Sequence, residues 1–158
     1  MYSLVILTLN EERNLPRCLE SLRDCQDVVV LDSGSTDATV EIALNGGARV
    51  VQNPFQNFAQ QRNFAHENIE FRFPWVMHLD ADELMTTSLD ESCSKFSDDG
   101  RYDGCWIAPK MMWFGEWIPR CTDFPAWQAR FVHAKRFRFI EVGHGQREHP
   151  DMRMTKLH

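Results

Sequence analysis

The sequence has few features of a secreted or membrane-spanning protein. Its five cysteines are odd in number and include no Cys-x-x-Cys pair, which argues against a disulfide framework and a thiolate zinc site. No apolar run approaches the roughly 20 residues that a membrane-spanning helix needs, and no basic leader precedes the first apolar segment. We therefore expect a cytoplasmic protein with reduced thiols.

Basic residues are scarce in the first part of the chain. Residues 1–100 hold 7 Lys/Arg against 17 Asp/Glu, whereas residues 101–158 hold 10 against 6. The net charge of -6 argues against nucleic acid as a partner. We interpret the C-terminal basic residues either as a solubilising surface or as a patch for phosphorylated lipid headgroups at the inner membrane face; they are Arg120, Arg130, Lys135, Arg136 and Arg138.

Four short segments rich in aliphatic and β-branched residues alternate with segments of helical spacing. The strand-like segments are residues 2–9, 28–31, 49–52 and 75–79. The order β-α-β-α-β-α-β predicts a parallel sheet with right-handed crossovers. A chain of 158 residues is long enough for one domain with a substantial core.

The C-terminal part has a different pattern, with a short helix predicted over residues 87–96. Residues 104–109 and 110–118 are predicted to pair as antiparallel strands. The aromatic segment 113–117 suits either a core hairpin or an exposed platform for a sugar ring, and we favour the core hairpin.

Three carboxylates follow the fourth predicted strand within four residues: Asp80, Asp82 and Glu83. Side chains so placed repel one another unless a cation lies among them. Mg²⁺ or Mn²⁺ shared with a diphosphate suits such oxygen ligands, and ligands of open α/β sheets gather at the carboxyl ends of strands. The segment therefore predicts a nucleotide site; the alternative is an acidic turn that only ends a buried strand.

Several motifs occur in one order along the chain. Leu-Thr-Leu-Asn-Glu-Glu spans residues 7–12, Val-Leu-Asp-Ser-Gly-Ser-Thr-Asp spans 30–37, Gln-Arg-Asn spans 61–63, and Asp-Ala-Asp-Glu spans 80–83. This set resembles the family 2 glycosyltransferases of the GT-A fold, in particular lipopolysaccharide core glycosyltransferases of the heptose-glucosylating type. The resemblance covers about residues 3–149 and is firmest over 3–84.

The resemblance implies an α/β GT-A fold, Rossmann-like, with a mostly parallel central sheet and an antiparallel C-terminal portion. A single domain would span residues 1–158, with 1–84 as the nucleotide-binding half and 85–158 as the acceptor side. Because the family has further helical sequence at this point, we interpret the chain as a fragment or a truncated copy.

The resemblance also implies roles for individual residues in binding the nucleotide-sugar. Thr8 and Glu11 match positions that line the base and ribose pocket, and Asp32 matches the aspartate that recognises the base. Arg62 and Asn63 match the segment that closes over the nucleotide. For Asp32, a helix-capping role is the alternative to ligand binding.

In the same comparison Asp80 matches a carboxylate near the ribose, and Asp82 matches the one that holds Mg²⁺ or Mn²⁺ on the diphosphate. We therefore expect Asp32, Asp80 and Asp82 to converge around one cleft. The implied activity is metal-dependent, inverting transfer from a nucleotide-diphosphate sugar, a UDP-sugar in our interpretation, to a lipopolysaccharide-core or other lipid-linked saccharide.

The chain departs from the family pattern where the catalytic base is expected. Ala126 stands at the position of that carboxylate, so Asp123 is our candidate and Glu141 is a more distant one. His144 replaces a usual His-Glu pair and is a weaker candidate for contact with the diphosphate. These departures leave open a degenerate domain that binds nucleotide-sugar without turnover; nucleotidyltransferases and Asp-x-Asp phosphatases fit the motif order less well.

Overall fold

The computed structural model describes residues 1–119 and 124–157. The first half alternates strands and helices, in this order: β1 (Ser3–Thr8), α1 (Leu15–Glu20), β2 (Val28–Asp32), α2 (Thr39–Asn45), β3 (Arg49–Gln52), α3 (Phe58–Asn68) and β4 (Trp75–Asp80). The second half contains one helix and seven strands: α4 (Thr87–Lys95), β5 (Gly104–Ile107), β6 (Met112–Trp113), β7 (Glu116–Trp117), β8 (Gln128–His133), β9 (Phe139–Val142), β10 (Gly145–Glu148) and β11 (Met154–Lys156).

Seven strands form one sheet in the order β11-β5-β8-β4-β1-β2-β3. Strands β1 to β4 pair in parallel, as do β5 and β11, and β8 runs antiparallel to both β4 and β5. The predicted mostly parallel sheet with an antiparallel C-terminal portion is thereby confirmed. The topology brings the carboxyl ends of β1, β2, β4 and β5 to the same edge of the sheet.

The central strands are apolar on both faces because helices and loops cover both sides of the sheet. Leu4, Ile6 and Met77 pack in the larger core, while Val5 and Val76 face the opposite side in a second core with residues of α3. Strands β1 and β4 are almost entirely buried. The last residue of each strand is therefore held in a fixed position at the sheet edge.

The helix predicted over residues 87–96 is confirmed as α4. In α2, apolar spacing predicts that Leu44 faces the core, but Leu44 is 58% exposed and Ile42 packs there instead. Asn57 caps α3 by accepting a hydrogen bond from the Gln60 amide. Asn14 precedes α1 without making a side-chain cap.

The predicted pairing of residues 104–109 with 110–118 is wrong. Strand β5 instead enters the main sheet, where its backbone pairs with β8 on one side and β11 on the other. This position buries the side chains of Cys105 and Ile107. Strands β6 and β7 pair only with each other and form a separate hairpin. Strands β8 to β11 have no counterpart in the sequence prediction.

Candidate active site

Two loops at the carboxyl ends of β1 and β2 are fastened together by hydrogen bonds. The Asn10 amide donates to Ser35 Oγ over 2.8 Å, and the Thr36 amide donates to Asn10 Oδ1 over 2.9 Å. The Glu11 amide donates to Thr39 Oγ1 over 2.8 Å. Because Asn10 adopts a left-handed backbone conformation with φ of 55°, its side chain reaches the second loop and fixes both.

Asp32 holds the loop that follows β2 through hydrogen bonds to its carboxylate. Its carboxylate is buried and accepts hydrogen bonds from the Thr8 hydroxyl (3.0 Å), the Gly34 amide (3.0 Å), the Ser35 amide (2.9 Å) and the Ser35 hydroxyl. These four donors match the roughly four acceptor sites of a carboxylate. Asp32 therefore fastens its own loop and does not cap α2, which begins after Ala38 without a side-chain cap; its role in recognising the base stays a prediction.

Burial alone would raise the pKa of Asp32, but hydrogen bonds from Ser35, Gly34 and Thr8 outweigh it and hold the pKa below its ordinary value. A carboxylate with a depressed pKa stabilises the fold above the unfolded value, about pH 4, and loses that contribution as the pH falls through the folded pKa. Asp32 is therefore one source of acid sensitivity in this chain.

Replacing Asp32 with Asn is expected to lower the free energy of unfolding by about 2–3 kcal/mol at pH 7, because the new amide group faces backbone donors. The wild type should lose more stability than the variant between pH 5 and pH 3, as measured by urea unfolding. Asp24→Asn, at an exposed aspartate, is the control. Equal stability of Asp32→Asn and wild type at pH 7 would contradict this account of Asp32.

Asp80, at the end of β4, lies between two arginines. Arg62 Nη2 contacts one carboxylate oxygen and Arg130 Nη2 contacts the other, each over 2.8 Å. Arg130 also donates to Glu83 Oε1 over 3.0 Å and, through Nε, to Gln128 Oε1 over 3.0 Å. Only 2% of the Arg62 side chain and 7% of the Arg130 side chain is exposed.

This arrangement changes the explanation for the acidic segment. Burial would raise the pKa of Asp80, but Arg62 and Arg130 outweigh it and keep the pKa below its ordinary value. Burial, followed by the charge of Arg130, lowers the pKa of Arg62 to about 10, so it stays protonated at neutral pH. Two guanidiniums therefore relieve the repulsion between Asp80 and Glu83, which the sequence interpretation assigned to a metal ion.

Asp82 is the carboxylate of the segment that these arginines do not bind. Its side chain is exposed in the turn after β4 and makes no hydrogen bond within the described part of the chain. Within residues 1–119 and 124–157, no three His, Cys, Asp or Glu side chains are grouped to hold a metal ion by themselves. Asp82 offers oxygen donors of the kind that Mg²⁺ and Mn²⁺ prefer, with room for ligands from a substrate.

Of the expected nucleotide contacts, Arg62 is buried and Asn63 is partly exposed. Asn63 Nδ2 donates to the Phe139 carbonyl over 2.8 Å, and Asn63 Oδ1 accepts from the Phe139 amide over 2.9 Å. Both side chains of α3 thus attach neighbouring structure: Asn63 fixes β9, and Arg62 fixes Asp80. Their nucleotide-binding role stays a prediction.

Beneath Arg62, two histidines share a short hydrogen bond. His66 Nε2 and His78 Nε2 are 2.8 Å apart, and both rings pack near Phe139. Burial lowers the pKa of His66 to about 4 and also lowers that of His78. Both rings are therefore neutral at pH 7 and add no positive charge beside Arg62.

A cleft of about 570 Å³ opens next to Asp80. Its walls combine aromatic, cationic and acidic side chains: Phe58, Asp80, Trp106, Trp127, Gln128, Ala129, Arg130, Phe139, Gly145, Gln146, Arg147, Glu148 and Lys156. Most come from β8, β10 and β11, which the sequence analysis did not assign. Gln128 and Arg130 are two residues apart, so their side chains share one face of a strand. This spacing is the feature of the sequence that could have indicated a polar wall here.

The expected convergence of the three aspartates around one bound nucleotide-sugar stays a prediction, and only one of them lines the cleft described above. Asp80 lines this cleft, whereas Asp32 and Asp82 do not. The physical reason is that Asp32 is two strands away from Asp80, about 10 Å at the usual strand spacing, and is enclosed by its own loop.

The candidates for a catalytic base lie at different places in the structure. Glu141, on β9, is exposed and accepts a hydrogen bond from Asn57 Nδ2 over 3.0 Å. His144 is exposed in the turn between β9 and β10. Asp123 lies outside the described residues. Glu148, which the sequence analysis missed, is the second carboxylate among the described residues that line the cleft.

The comparison with protein families agrees with this architecture. The family described as "Glycosyl transferase family 2" matches residues 3–151, which is nearly the whole chain. The chain belongs to this family. No helix in the described residues is long and apolar enough to span a membrane.

Two curated relatives illustrate the similarity of this family 2 chain. It is 39% identical over 94 residues to "Lipopolysaccharide core biosynthesis glycosyltransferase LpsC" of Rhizobium meliloti (strain 1021), covering 56% of this chain and 34% of the relative. It is 32% identical over 122 residues to "Uncharacterized glycosyltransferase RP128" of Rickettsia prowazekii (strain Madrid E), covering 75% of this chain and 41% of the relative. The matched region is thus less than half of either relative.

Two solved structures share the fold of this family 2 chain. S. aureus TarS 1–349 has a TM-score of 0.58 with 24% identity, covering 75% of this chain and 38% of that one. Glucosyl-3-phosphoglycerate synthase from Mycobacterium tuberculosis in complex with UDP has a TM-score of 0.54 with 23% identity, covering 65% of this chain and 42% of that one. These likenesses show the α/β fold.

Proposed function

We propose that this chain carries the catalytic site of a metal-dependent, inverting glycosyltransferase that uses a nucleotide-diphosphate sugar, a UDP-sugar in the first instance. The observation that carries the proposal is that the Asp82 carboxylate is exposed and not bound by either arginine. Asp80 and Glu83 are neutralised by Arg62 and Arg130, whereas Asp82 remains an exposed carboxylate at the carboxyl edge of a family 2 sheet.

In this proposal Asp82 would hold Mg²⁺ or Mn²⁺. When bound there, the cation would supply positive charge against the diphosphate leaving group. The chain's own residues prepare the site: Arg62 and Arg130 keep Asp80 ionised and hold its carboxylate in one orientation. Such preorganised charge is usually a large part of catalysis, because nothing has to reorient during the reaction.

The donor's base and ribose would lie at the carboxyl ends of β1 and β2, beside Thr8, Glu11 and Asp32. The hydrogen bonds between the two loops support this assignment, because they fix the backbone there before any ligand binds. The side-chain contacts of Asp32 leave backbone groups of its loop as further candidates for recognition of the nucleotide.

The cleft beside Asp80 would receive the acceptor. Trp106 and Trp127 line it, and aromatic rings of this kind suit the apolar faces of sugars. The Rhizobium meliloti relative is named as a lipopolysaccharide core biosynthesis enzyme, which supports a lipopolysaccharide-core or other lipid-linked saccharide as acceptor. Asp123 would take the proton from the attacking hydroxyl, as direct displacement with inversion requires a base on the acceptor side.

Product analysis tests this proposal. The chain is incubated with a panel of nucleotide-sugars, Mn²⁺ and a rough-core lipopolysaccharide extract, with and without chelator. Wild type should transfer sugar only when Mn²⁺ is present, and Asp123→Asn should reduce kcat at least about 100-fold while donor binding persists. Glu148→Gln is the matched variant at the other candidate carboxylate, and it should retain most activity.

Two outcomes would contradict the proposal. Turnover that is indifferent to chelator would remove the role of the metal. Donor binding by calorimetry without any product would favour the second candidate, a nucleotide-sugar-binding domain without turnover, which is motivated by Ala126 at the position where the family has its carboxylate.

A further inference from the structure

The β6–β7 hairpin exposes a concentration of large apolar side chains. The exposed fractions are 59% for Met111, 53% for Met112, 64% for Trp113, 93% for Phe114 and 43% for Trp117. The sequence prediction of a core hairpin is therefore wrong. Contiguous exposed apolar surface of this kind marks an interaction site, since soluble proteins otherwise keep such residues scattered.

The hairpin is a defined structure rather than an irregular loop. Met112 pairs with Trp117 and Trp113 pairs with Glu116, and the Ile118 amide donates to the Met111 carbonyl over 3.0 Å. Phe114 and Gly115 both have positive φ, 49° and 83°, as the tight turns that match strand twist require. Phe114 is thus held at the tip, where it projects most.

We propose that this hairpin inserts into the surface of an anionic lipid bilayer. With two residues in each strand it projects about 7–10 Å, which matches the depth to which interfacial elements enter the headgroup region. Trp suits that region because its apolar ring carries an N–H group that can face water, and Phe supplies purely apolar surface that enters the acyl boundary.

A positive charge lies at the base of the hairpin, where lipid phosphates would meet the protein. Lys110 immediately precedes the hairpin, and its Nζ is 4.9 Å from the centre of the Trp117 ring. Lys156, on β11, belongs to the Asp80 cleft instead, where its Nζ is 4.5 Å from the centre of the Trp127 ring. An apolar tip above a cationic base complements an anionic membrane surface.

Two residues of the basic cluster expected from the sequence are bound within the protein and do not contribute to that surface. Arg130 is buried against Asp80 and Glu83, and Arg136 is bound to Asp98 and the Tyr102 carbonyl. Lys135 and Arg138 are exposed, and Arg120 lies outside the described residues.

A sugar platform fits the hairpin less well than a lipid surface. The Asp80 cleft contains two tryptophans of its own, Trp106 and Trp127, and none of the exposed hairpin residues lines it. Strand β5 runs parallel to β4 in the sheet, so the hairpin leaves the same edge at which Asp80 lies. Insertion would therefore turn this edge of the sheet toward the bilayer.

Vesicle sedimentation tests the inference. The 158-residue chain should sediment with vesicles of phosphatidylcholine containing about one third phosphatidylglycerol, and less with pure phosphatidylcholine. The double variant Trp113→Ser with Phe114→Ser should bind at least about tenfold more weakly, which equals about 1.4 kcal/mol. Leu44→Ser, at an exposed apolar residue of α2, is the matched control and should bind like wild type.

Brominated lipids locate the contact. They should quench tryptophan fluorescence of the wild type more than that of Trp113→Phe, which retains binding but removes the inserted fluorophore. Failure of the wild type to sediment, or equal sedimentation of the double variant, would overturn the inference. A concentration-dependent dimer that the double variant abolishes would also overturn it, because the occupant would then be a second copy.

Discussion

Asp82→Asn is expected to lower turnover about 1000-fold, the scale on which loss of a transition-state charge partner reduces kcat. Asparagine keeps the size of the side chain and removes the negative charge that would attract a divalent cation. Because Asp82 is exposed and makes no hydrogen bond in the described part of the chain, its replacement should change the free energy of unfolding by less than about 0.5 kcal/mol.

The controls separate chemistry from general charge. Asp24→Asn removes one exposed negative charge elsewhere and should leave turnover unchanged. Raising the Mn²⁺ concentration should restore part of the Asp82→Asn activity if the loss is one of metal affinity. A variant with wild-type kcat at low Mn²⁺ would show that Asp82 is not the metal-holding carboxylate.

Asp80→Ala is expected to destabilise the fold by about 3–5 kcal/mol, a large share of the stability of a domain. The cause lies in Arg62 rather than in the lost side chain. Arg62 is buried and Asp80 is its only hydrogen-bonded partner among the described residues; its Nε and Nη1 atoms are already unpaired. Removal of Asp80 therefore leaves an uncompensated buried charge.

A double-mutant cycle tests that cause by urea unfolding. Arg62→Met alone should cost less than Asp80→Ala, because Asp80 keeps Arg130. The double variant Arg62→Met with Asp80→Ala should be more stable than additivity predicts by at least about 1 kcal/mol. Arg13→Met, at an exposed arginine, is the control. Additive effects in the cycle would mean that Asp80 acts on stability through packing and not through the buried charge.

The sequence predicts the nucleotide-binding half well because local signals and tertiary structure agree there. The strands at residues 28–31 and 49–52 appear within one residue of their predicted bounds, since buried parallel strands have continuous apolar composition. Asn57 lies at the start of α3 and Gly46 at the end of α2, as the residue preferences of helix caps predict. These features depend on neighbours in sequence.

The site's electrostatics depend on residues that are distant in sequence, so no local pattern reveals them. Arg62 is 18 residues from Asp80, and Arg130 is 50 residues from it. The acidic segment alone suggests a missing cation, and only the fold shows that two guanidiniums take that place for Asp80 and Glu83 but not for Asp82. The aromatic segment 113–117 is ambiguous for the same reason, because composition does not state whether a hairpin joins the main sheet.

Calorimetric titration with UDP tests the central claim most directly, because it needs neither a known sugar nor a known acceptor. If Asp82 holds the cation that binds the diphosphate, wild type should bind UDP at least about tenfold more tightly with Mn²⁺ than with chelator, and Asp82→Asn should lose this difference. Binding of UDP that is equally tight with and without Mn²⁺, or a metal effect that survives in Asp82→Asn, would contradict the account.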